Sequence, residues 1–600
     1  MGDSTRTDFD VVVVGAGPVG LALAGDLGWR GLSCLVIEQG DGSIYQPKMD
    51  GVNVRTMEFC RRWGLVEEIR NCPYPSYYPQ DMVYLTSLTG YELGRETFVT
   101  PSGGAEERQL GASPETRVRC PQNMFDPILR RFAESFDSVT LRYRCRMTGF
   151  TQSGDGVDVE FEDLERGRMQ RVAARYLVGC DGASSTVREL LGVKMEGRGT
   201  LTYTTNVIIR CANLATLHNK QLAYRHLFIG PEGTWATMVA INGRDEWRFS
   251  FIGSGEPRKM TEDEIRAAIR RAVGVDFEYE IVSILPWVRR ELIAERYGVG
   301  RVFLAGDAVH VMSPTGGFGM NTGIADAVDL SWKLEGTIRG WGGPALLASY
   351  EIERRPVGRR AAREASGNLL RTLSPGKNPE LLDPTLEGAL KRYEVGRRFS
   401  ATMLREWYKL GIDLGYVYDP SPICWPEEGE PPNPPIPDCR TPLRPPKGWL
   451  YDGTPITPSL LREWQRLAVH LAEGYQIKTD WEELPAEEVM IYRQSARPGA
   501  RAPHVWLRDG RSTLDLFGRG FVLMRLGAAA PPVSEFLDAA AKRGVPVQVF
   551  ESDQPDLCAA YVRPLVLVRP DGHVAWRGDT WPSEGPLALI DRVRGASRAE

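Results

Sequence analysis

The chain has 600 residues, enough for two to four domains at roughly 100–200 residues each. Its apolar content of 42% is that of a globular protein, and 73 Lys and Arg against 78 Asp and Glu leave no broad basic field for nucleic acid. Ten scattered cysteines form no Cys-x-x-Cys and no zinc-like cluster with His, so no metal is expected and the thiols read as reduced and buried in a cytoplasmic protein.

Residues 9–25 are apolar, but Asp10 and four glycines interrupt them. The run is too short and too Gly-rich to span a membrane, and no basic leader with a cleavage site is present. It reads instead as strand, turn, helix and strand. Val11-Val12-Val13-Val14 is a buried strand, followed by Gly15-Ala16-Gly17-Pro18-Val19-Gly20 and a helical stretch to Trp29. A second strand at 33–37 ends at Glu38. Gly15 permits a tight turn, Gly17 lets backbone N–H groups approach a pyrophosphate, and Gly20 permits close helix–strand packing. The helix N-terminus offers partial positive charge to the diphosphate. An acid about 20 residues further on, here Glu38, suits a ribose hydroxyl. This is a dinucleotide fingerprint, and alone it does not separate FAD from NAD(P).

Helical patterns follow at 55–70 and 121–135, and short strands with turn signals occupy 139–182. The strand at 176–180 runs into Asp181-Gly182 and a helix start carrying Arg188. Residues 200–253 hold four β-rich runs, which suggests a sheet domain that receives something. Thr261 and Glu264 form a capping box that opens a helix to about Val273. A strand at 301–305 ends in Gly306-Asp307, and a turn with Pro314, Gly317, Gly319, Met320 and Asn321 opens the next helix. Helices continue to about Leu410. Residues 415–458 are Pro-rich and read as a connection. From about Gln494 a fresh α/β pattern begins.

An Asp at a strand end can accept a hydrogen bond from a ribityl hydroxyl. A glycine-rich turn entering a helix can stabilise negative charge on a reduced flavin. With the N-terminal fingerprint, these two distal motifs select FAD.

This trio resembles the single-component FAD-dependent aromatic hydroxylases, the group A flavoprotein monooxygenases. Gly15, Gly17, Gly20 and Glu38 match the first motif, Asp181, Gly182 and Arg188 the second, and Gly306, Asp307 and Pro314 the third. Gln122 matches a flavin-contacting Gln, and Tyr350-Glu351 with Glu353-Arg354-Arg355-Pro356 match the helical segment that follows. The resemblance extends cofactor binding to Ala16, Pro18, Val19, Gln39, Lys48, Met147, Gly317, Gly319, Met320 and Asn321. Residues 497–504, 518–523 and 567–577 resemble the thioredoxin-like third domain of larger members such as phenol hydroxylase, 3-(3-hydroxyphenyl)propionate hydroxylase, 2,4-dichlorophenol 6-monooxygenase and some polyketide hydroxylases. Here no Cys-x-x-Cys follows the strand near Phe521, so dithiol chemistry is absent and a packing or dimer role is expected.

The expected fold class is α/β. A Rossmann-type FAD-binding domain (1–200 and 290–415) receives an inserted β-sheet substrate domain (75–118 and 200–290). A Pro-rich and helical connection (415–490) leads to a thioredoxin-like domain (491–600).

The resemblance implies an enzyme in which NAD(P)H, docking transiently, reduces FAD and O2 forms a C4a-hydroperoxyflavin that hydroxylates a phenolic ring. It also implies a flavin that swings between two positions, with residues 44–53 beside it as the gate. Alternatives are an oxygenase of a bulky polyketide-type aromatic, including Baeyer–Villiger or epoxidising variants, and a non-catalytic flavin binder. The expected partner is a small aromatic molecule, with no nucleic acid and no membrane, and a homodimer is left open. NADH or NADPH preference is open too. For the phenol base, Tyr224 and His226 alternate on one predicted strand and are expected to share a face. His310 is read as structural.

Overall fold

The computed structural model describes residues 7–98, 111–253, 256–257, 259–427 and 474–596. The Pro-rich run 431–435, most of the expected connection, Cys439 and His470 lie outside them.

Val11, Val12 and Val13 are completely buried, as a strand covered on both faces requires. The strand Phe9–Val14 lies at the centre of a largely parallel sheet, flanked by Cys34–Ile37 and Arg168–Gly179. Val139–Arg142 and Val302–Leu304 extend it in parallel on either side. A hairpin of Cys145–Gln152 and Val157–Asp163 joins antiparallel to Arg168–Gly179. Helices Pro18–Trp29, Gln122–Glu134 and Gly319–Ile338 pack together beside this sheet.

A second eight-stranded sheet takes its strands from two stretches of chain. Met82–Leu85 and Glu92–Glu96 come before the helix Gln122–Glu134; Met195–Arg210, Arg225–Gly230, Gly233–Ala240, Glu246–Ile252 and Glu280–Ala294 come after it, and His310–Val311 completes one edge. The four central runs match the β-rich segments read from sequence. The strand Glu280–Ala294 was not expected. Its Pro286 argues against a central strand, and the structure places it beside the sheet edge, where a missing N–H is tolerated.

The C-terminal part forms a four-stranded sheet in the order Val547–Ser552, Phe521–Leu526, Leu565–Val568, Val574–Gly578. The first pair is parallel and the next two pairs are antiparallel, the thioredoxin-like arrangement. It is bound to the rest of the molecule by buried arginines. Arg569 pairs with Asp329 and Glu353, and Arg55 donates to the Asp571 carbonyl at 3.0 Å. The nine described cysteines are free thiols, buried or part-buried. Among the described residues, no helix is long and apolar enough to cross a membrane.

Candidate active site

The parallel strands align the three motifs. Val14 is in register with both Ile37 and Gly179, and Gly179 with Leu304. The residues that follow, Gly15, Glu38, Cys180-Asp181 and Ala305-Gly306, therefore emerge side by side along the carboxyl edge of the sheet. That edge is where open α/β sheets place ligands.

Gly15 has φ +102°, and a Cβ there would lie 2.5 Å from the Cys180 carbonyl oxygen. A Cβ on Gly20 would meet the Gly15 carbonyl oxygen at 1.9 Å, so helix and turn touch only because no side chain intervenes. Gly17 differs: a Cβ there meets nothing within 4 Å, leaving backbone open on the ligand side. Glu38 accepts from the Ala16 N–H at 2.8 Å and the Gly40 N–H at 2.7 Å, which ties the second strand to the glycine turn. Gln39 is exposed beside it.

Asp181 accepts from the Ser185 hydroxyl and, at 3.1 Å, from the Val187 N–H. Arg188 donates to the carbonyls of Ala183 at 2.9 Å and Ala308 at 3.0 Å, and so staples the Asp181 turn to the Gly306–Ala308 turn. Beneath that turn, the fully buried Asp326 accepts from Gly306 N–H at 3.2 Å and Arg354 Nε at 2.8 Å, and pairs with His310 Nε2 at 2.7 Å. Burial opposes ionisation of Asp326, but Arg354 and His310 overcome it and lower its pKa. His310 is thus a structural member of this site. Asp307 opens to the sheet edge but is ringed by protein, and the desolvation raises its pKa.

Asn321 is a four-bond hub. Its oxygen accepts from Asn53 N–H at 2.9 Å and Thr56 Oγ1 at 2.8 Å; its amide donates to the carbonyls of Gly51 at 3.1 Å and Gly317 at 2.8 Å. The loop 44–53 is thereby tied to the glycine-rich turn. Its other contacts include Lys48 N–H to Gln122 Oε1 at 2.9 Å and Arg248 to the Pro47 carbonyl at 2.9 Å. Gln122 in turn donates to Asp126, whose burial pushes its pKa up to about 7. Met147 sits in the apolar core around the parallel sheet.

The loop ends in a cluster that motif reading missed. Asp50 pairs with Arg119 at 2.9 Å, accepts from the Tyr224 hydroxyl and lies 3.7 Å from Arg248. Burial would raise the Asp50 pKa, but Arg119 and Arg248 hold it down. The Arg119 guanidinium stacks 3.6 Å above the Tyr224 ring. Burial also raises the Tyr224 pKa, so this phenol stays protonated and donates to Asp50.

Tyr224 and His226 do not share a face. The N–H groups of Tyr224 and Arg225 both donate to the Asp81 carbonyl, at 3.0 and 3.2 Å, a bulge that breaks the alternation. The strand begins only at Arg225. His226 is in register with Met238 and Val83, and alternates with Phe228; these three belong to the core that packs on helix Glu262–Val273. Tyr224 groups with Leu227 and Ile229 on the opposite side. Burial lowers the His226 pKa to about 3, so the ring is neutral.

The face carrying Arg225 holds further cations. Arg225 pairs with Glu406 at 2.9 Å. Arg289 is 5% exposed and donates from Nε to Thr204 at 3.1 Å. Burial, with Arg225 and Arg248 nearby, lowers its pKa to about 10 against the opposing attraction of Glu406. No carboxylate pairs with Arg289 among the described residues. Lys48 faces the Trp287 ring at 5.8 Å.

Residues 8–365 match the FAD binding domain family, and 495–596 match the C-terminal domain of aromatic-ring hydroxylases. This chain belongs to the group A FAD-dependent aromatic hydroxylases. A putative polyketide hydroxylase of Streptomyces halstedii is 31% identical over 94% of this chain and 93% of its own. A 4-methyl-5-nitrocatechol 5-monooxygenase of a Burkholderia species is 30% identical over 98% and 97%. The solved structure of RebC with bound 7-carboxy-K252c is 37% identical, with a TM-score of 0.82 over 99% of this chain and all of that one.

The residues of this hydroxylase fit FAD. Open backbone at Gly17 suits the diphosphate, and the outward carboxylate of Asp307 suits a hydroxylated chain. Beyond them, Gly317 and Pro314 lie exposed at the entrance to helix Gly319–Ile338. The side chains of Asn321, Arg188 and Gln122 bond to other parts of the protein, and there they fix the backbone of the turns around them. Asp50, Arg225, Arg248, Arg289 and Glu406 belong to no motif. Asp50 had as its only sequence signal its place in loop 44–53, and the others their place in strands of the second sheet or in helix Leu386–Trp407.

Proposed function

We propose that this flavoprotein monooxygenase hydroxylates a phenolic aromatic held as its anion in the cleft between loop 44–53 and the inserted sheet. The observation that carries this reading is Arg289, a buried guanidinium without a carboxylate partner, next to Arg225 and Arg248. Such a group is costly unless an anion joins it. A phenol placed there loses its proton more readily, because nearby positive charge favours the charged form. A phenolate is the more nucleophilic ring, and the cationic cleft favours binding it in that form, its proton having been given up to bulk water. Tyr224, donating to Asp50, fixes the wall of that cleft, and Lys48 and Trp287 close it from the loop and the sheet.

FAD, when bound, supplies the oxygen-activating chemistry, with NAD(P)H as reductant and O2 as oxidant. The protein's own part is to orient the ring, stabilise its negative charge and keep water out. We assign cofactor contact to Gly15–Gly20, Glu38, Asp181, Asp307 and the turn 314–321.

A bulky biosynthetic aromatic is the second reading. It is supported by the full-length match to RebC, a rebeccamycin biosynthetic enzyme, and by the polyketide hydroxylase relatives. The test is NAD(P)H oxidation with a panel of monocyclic and polycyclic phenols, their methyl ethers and their carboxylated forms, with products identified by mass spectrometry. The proposal expects ionisable members to stimulate oxidation and to gain one oxygen. Stimulation by methyl ethers equal to that of the parent phenols would overturn it. A flavin spectrum without turnover on any member would favour a non-catalytic binder.

A further inference from the structure

The glycine-rich turn is gripped from outside its own motif. Gly316 and Gly317 have φ +87° and +65°, two left-handed residues in succession, and helix Gly319–Ile338 follows at once. Both polar groups of Gly316 are taken by residues from the end of helix Leu386–Trp407. The Gly316 N–H donates to Glu406 Oε1 at 3.2 Å, and the Gly316 carbonyl accepts from the Lys409 ammonium. Glu406 Oε1 is the same atom that pairs with Arg225 of the substrate-facing sheet. The Lys409 nitrogen also lies 4.7 Å from the Phe318 ring centre and 4.0 Å from where a Cβ on Gly317 would sit. It thus follows three consecutive residues of the turn. Burial, with Arg117 and Arg119 nearby, lowers the Lys409 pKa from its ordinary value, and Asp413 and Glu406 oppose that shift and favour the charged ammonium.

The position matters because of what the turn does. The first N–H groups of a helix have no carbonyl one turn back, and they present positive potential. In a FAD-dependent hydroxylase this turn lies in line with Asp307, beyond the ribityl position. A reduced flavin carries more negative charge than an oxidised one, so a fixed cation behind the turn favours the reduced form. Motif reading stops at Asn321 and gives Lys409 no role.

We propose that Lys409 is a positioning residue of the flavin turn, which fixes the Gly316–Phe318 backbone and contributes the positive charge that raises the reduction potential of bound FAD. The inference rests on FAD binding alone and is independent of the substrate.

The test is the midpoint potential of the FAD-loaded protein, measured by dye equilibration for Lys409→Met, Lys409→Gln and Lys409→Arg, with FAD affinity and melting temperature recorded alongside. Lys409→Gln keeps a donor for the Gly316 carbonyl but no charge; Lys409→Arg keeps both. The proposal expects Met and Gln to weaken the preference for reduced over oxidised FAD roughly tenfold, a fall of about 30 mV for a two-electron couple, and Arg to restore it. Wild-type potentials in Met and Gln would overturn it, whatever the melting temperatures. If Lys409→Met does not retain FAD, the Gln and Arg variants decide: equal potentials overturn the proposal, and a lower value in Gln supports it.

Discussion

Glu58 and Arg501 are separated by 443 residues and form a two-pronged ion pair, with Arg501 Nε 3.0 Å from Glu58 Oε2 and both side chains buried. One lies in the region matched to the FAD-binding family and the other in the C-terminal hydroxylase domain. Glu58 also holds Arg55 and the Ser113 hydroxyl, and it sits in helix Val54–Arg62, whose cap Asn53 is bonded to Asn321. The C-terminal domain therefore anchors the helix that follows loop 44–53.

Removing one member of this pair leaves a buried charge alone. Arg501→Met is expected to cost about 3–5 kcal/mol of stability. The double variant Glu58→Gln/Arg501→Met should recover part of that loss, because it removes the orphaned charge. Denaturant unfolding checks both. A single variant within about 1 kcal/mol of wild type would show that the domains hold together without the pair.

The same carboxylate sets a pH dependence. Burial raises the Glu58 pKa, but Arg501 and Arg55 overcome it and bring the group down to about 2, against an ordinary 4.5. A depressed folded-state pKa means the contribution is complete above the unfolded value and lost as pH falls through the folded one. The gap corresponds to roughly 3 kcal/mol at neutral pH. The stability difference between wild type and Glu58→Gln should be constant above about pH 5 and shrink as pH falls towards 2. A difference that does not change down to about pH 3 would contradict this assignment.

Two glycines two positions apart should respond differently. Gly15→Ala forces a side chain against the Cys180 carbonyl at a left-handed φ, so the apoprotein itself should be destabilised. Gly17→Ala meets no protein atom within 4 Å, so the apoprotein should melt as wild type while FAD binds roughly tenfold more weakly or worse. Melting curves and FAD titration separate the two. Wild-type FAD affinity in Gly17→Ala would place the diphosphate elsewhere.

Arg289→Met should raise KM for an anionic aromatic roughly 10–100-fold, as expected for a charged hydrogen bond worth ~1.5–3 kcal/mol. Stability should change little, since relief of the buried guanidinium offsets loss of its hydrogen bond to Thr204 and its attraction to Glu406. Steady-state kinetics with a phenol and its methyl ether give the contrast. An equal effect on both would mean that Arg289 acts through packing alone.

His226→Gln should leave the pH profile of turnover and the coupling of NAD(P)H oxidation to hydroxylation unchanged. Its ring is already neutral, with a pKa near 3, and belongs to the helix-facing side of the sheet. A shift of the acidic limb of the profile would return His226 to the list of bases.

The turns to which we assign the cofactor were legible in the sequence. Gly15, Glu38, Asp181 and Asp307 come at or just after strand ends, and Gly17 and Gly20 lie at the start of the helix that follows, so local backbone geometry dictates both the residue type and its place. The third domain was legible too, through its own alternating strands. The strand Glu280–Ala294 was not, because Pro286 mimics a break that only an edge position allows. Tyr224 and His226 were placed together because alternation is a local rule, and a single extra residue opposite Asp81 overrides it.

What the sequence by itself determined is the set of short contiguous turns to which we assign the diphosphate and ribityl chain of FAD, since each turn is built from neighbouring residues. Tertiary structure alone decided the other end. Asp50, Arg225, Arg289, Glu406 and Lys409 come from four separate stretches of chain, and each is a charged residue with an ordinary surface alternative. Only long-range packing brings them together, and only burial gives their charges more strength than those of solvated surface residues.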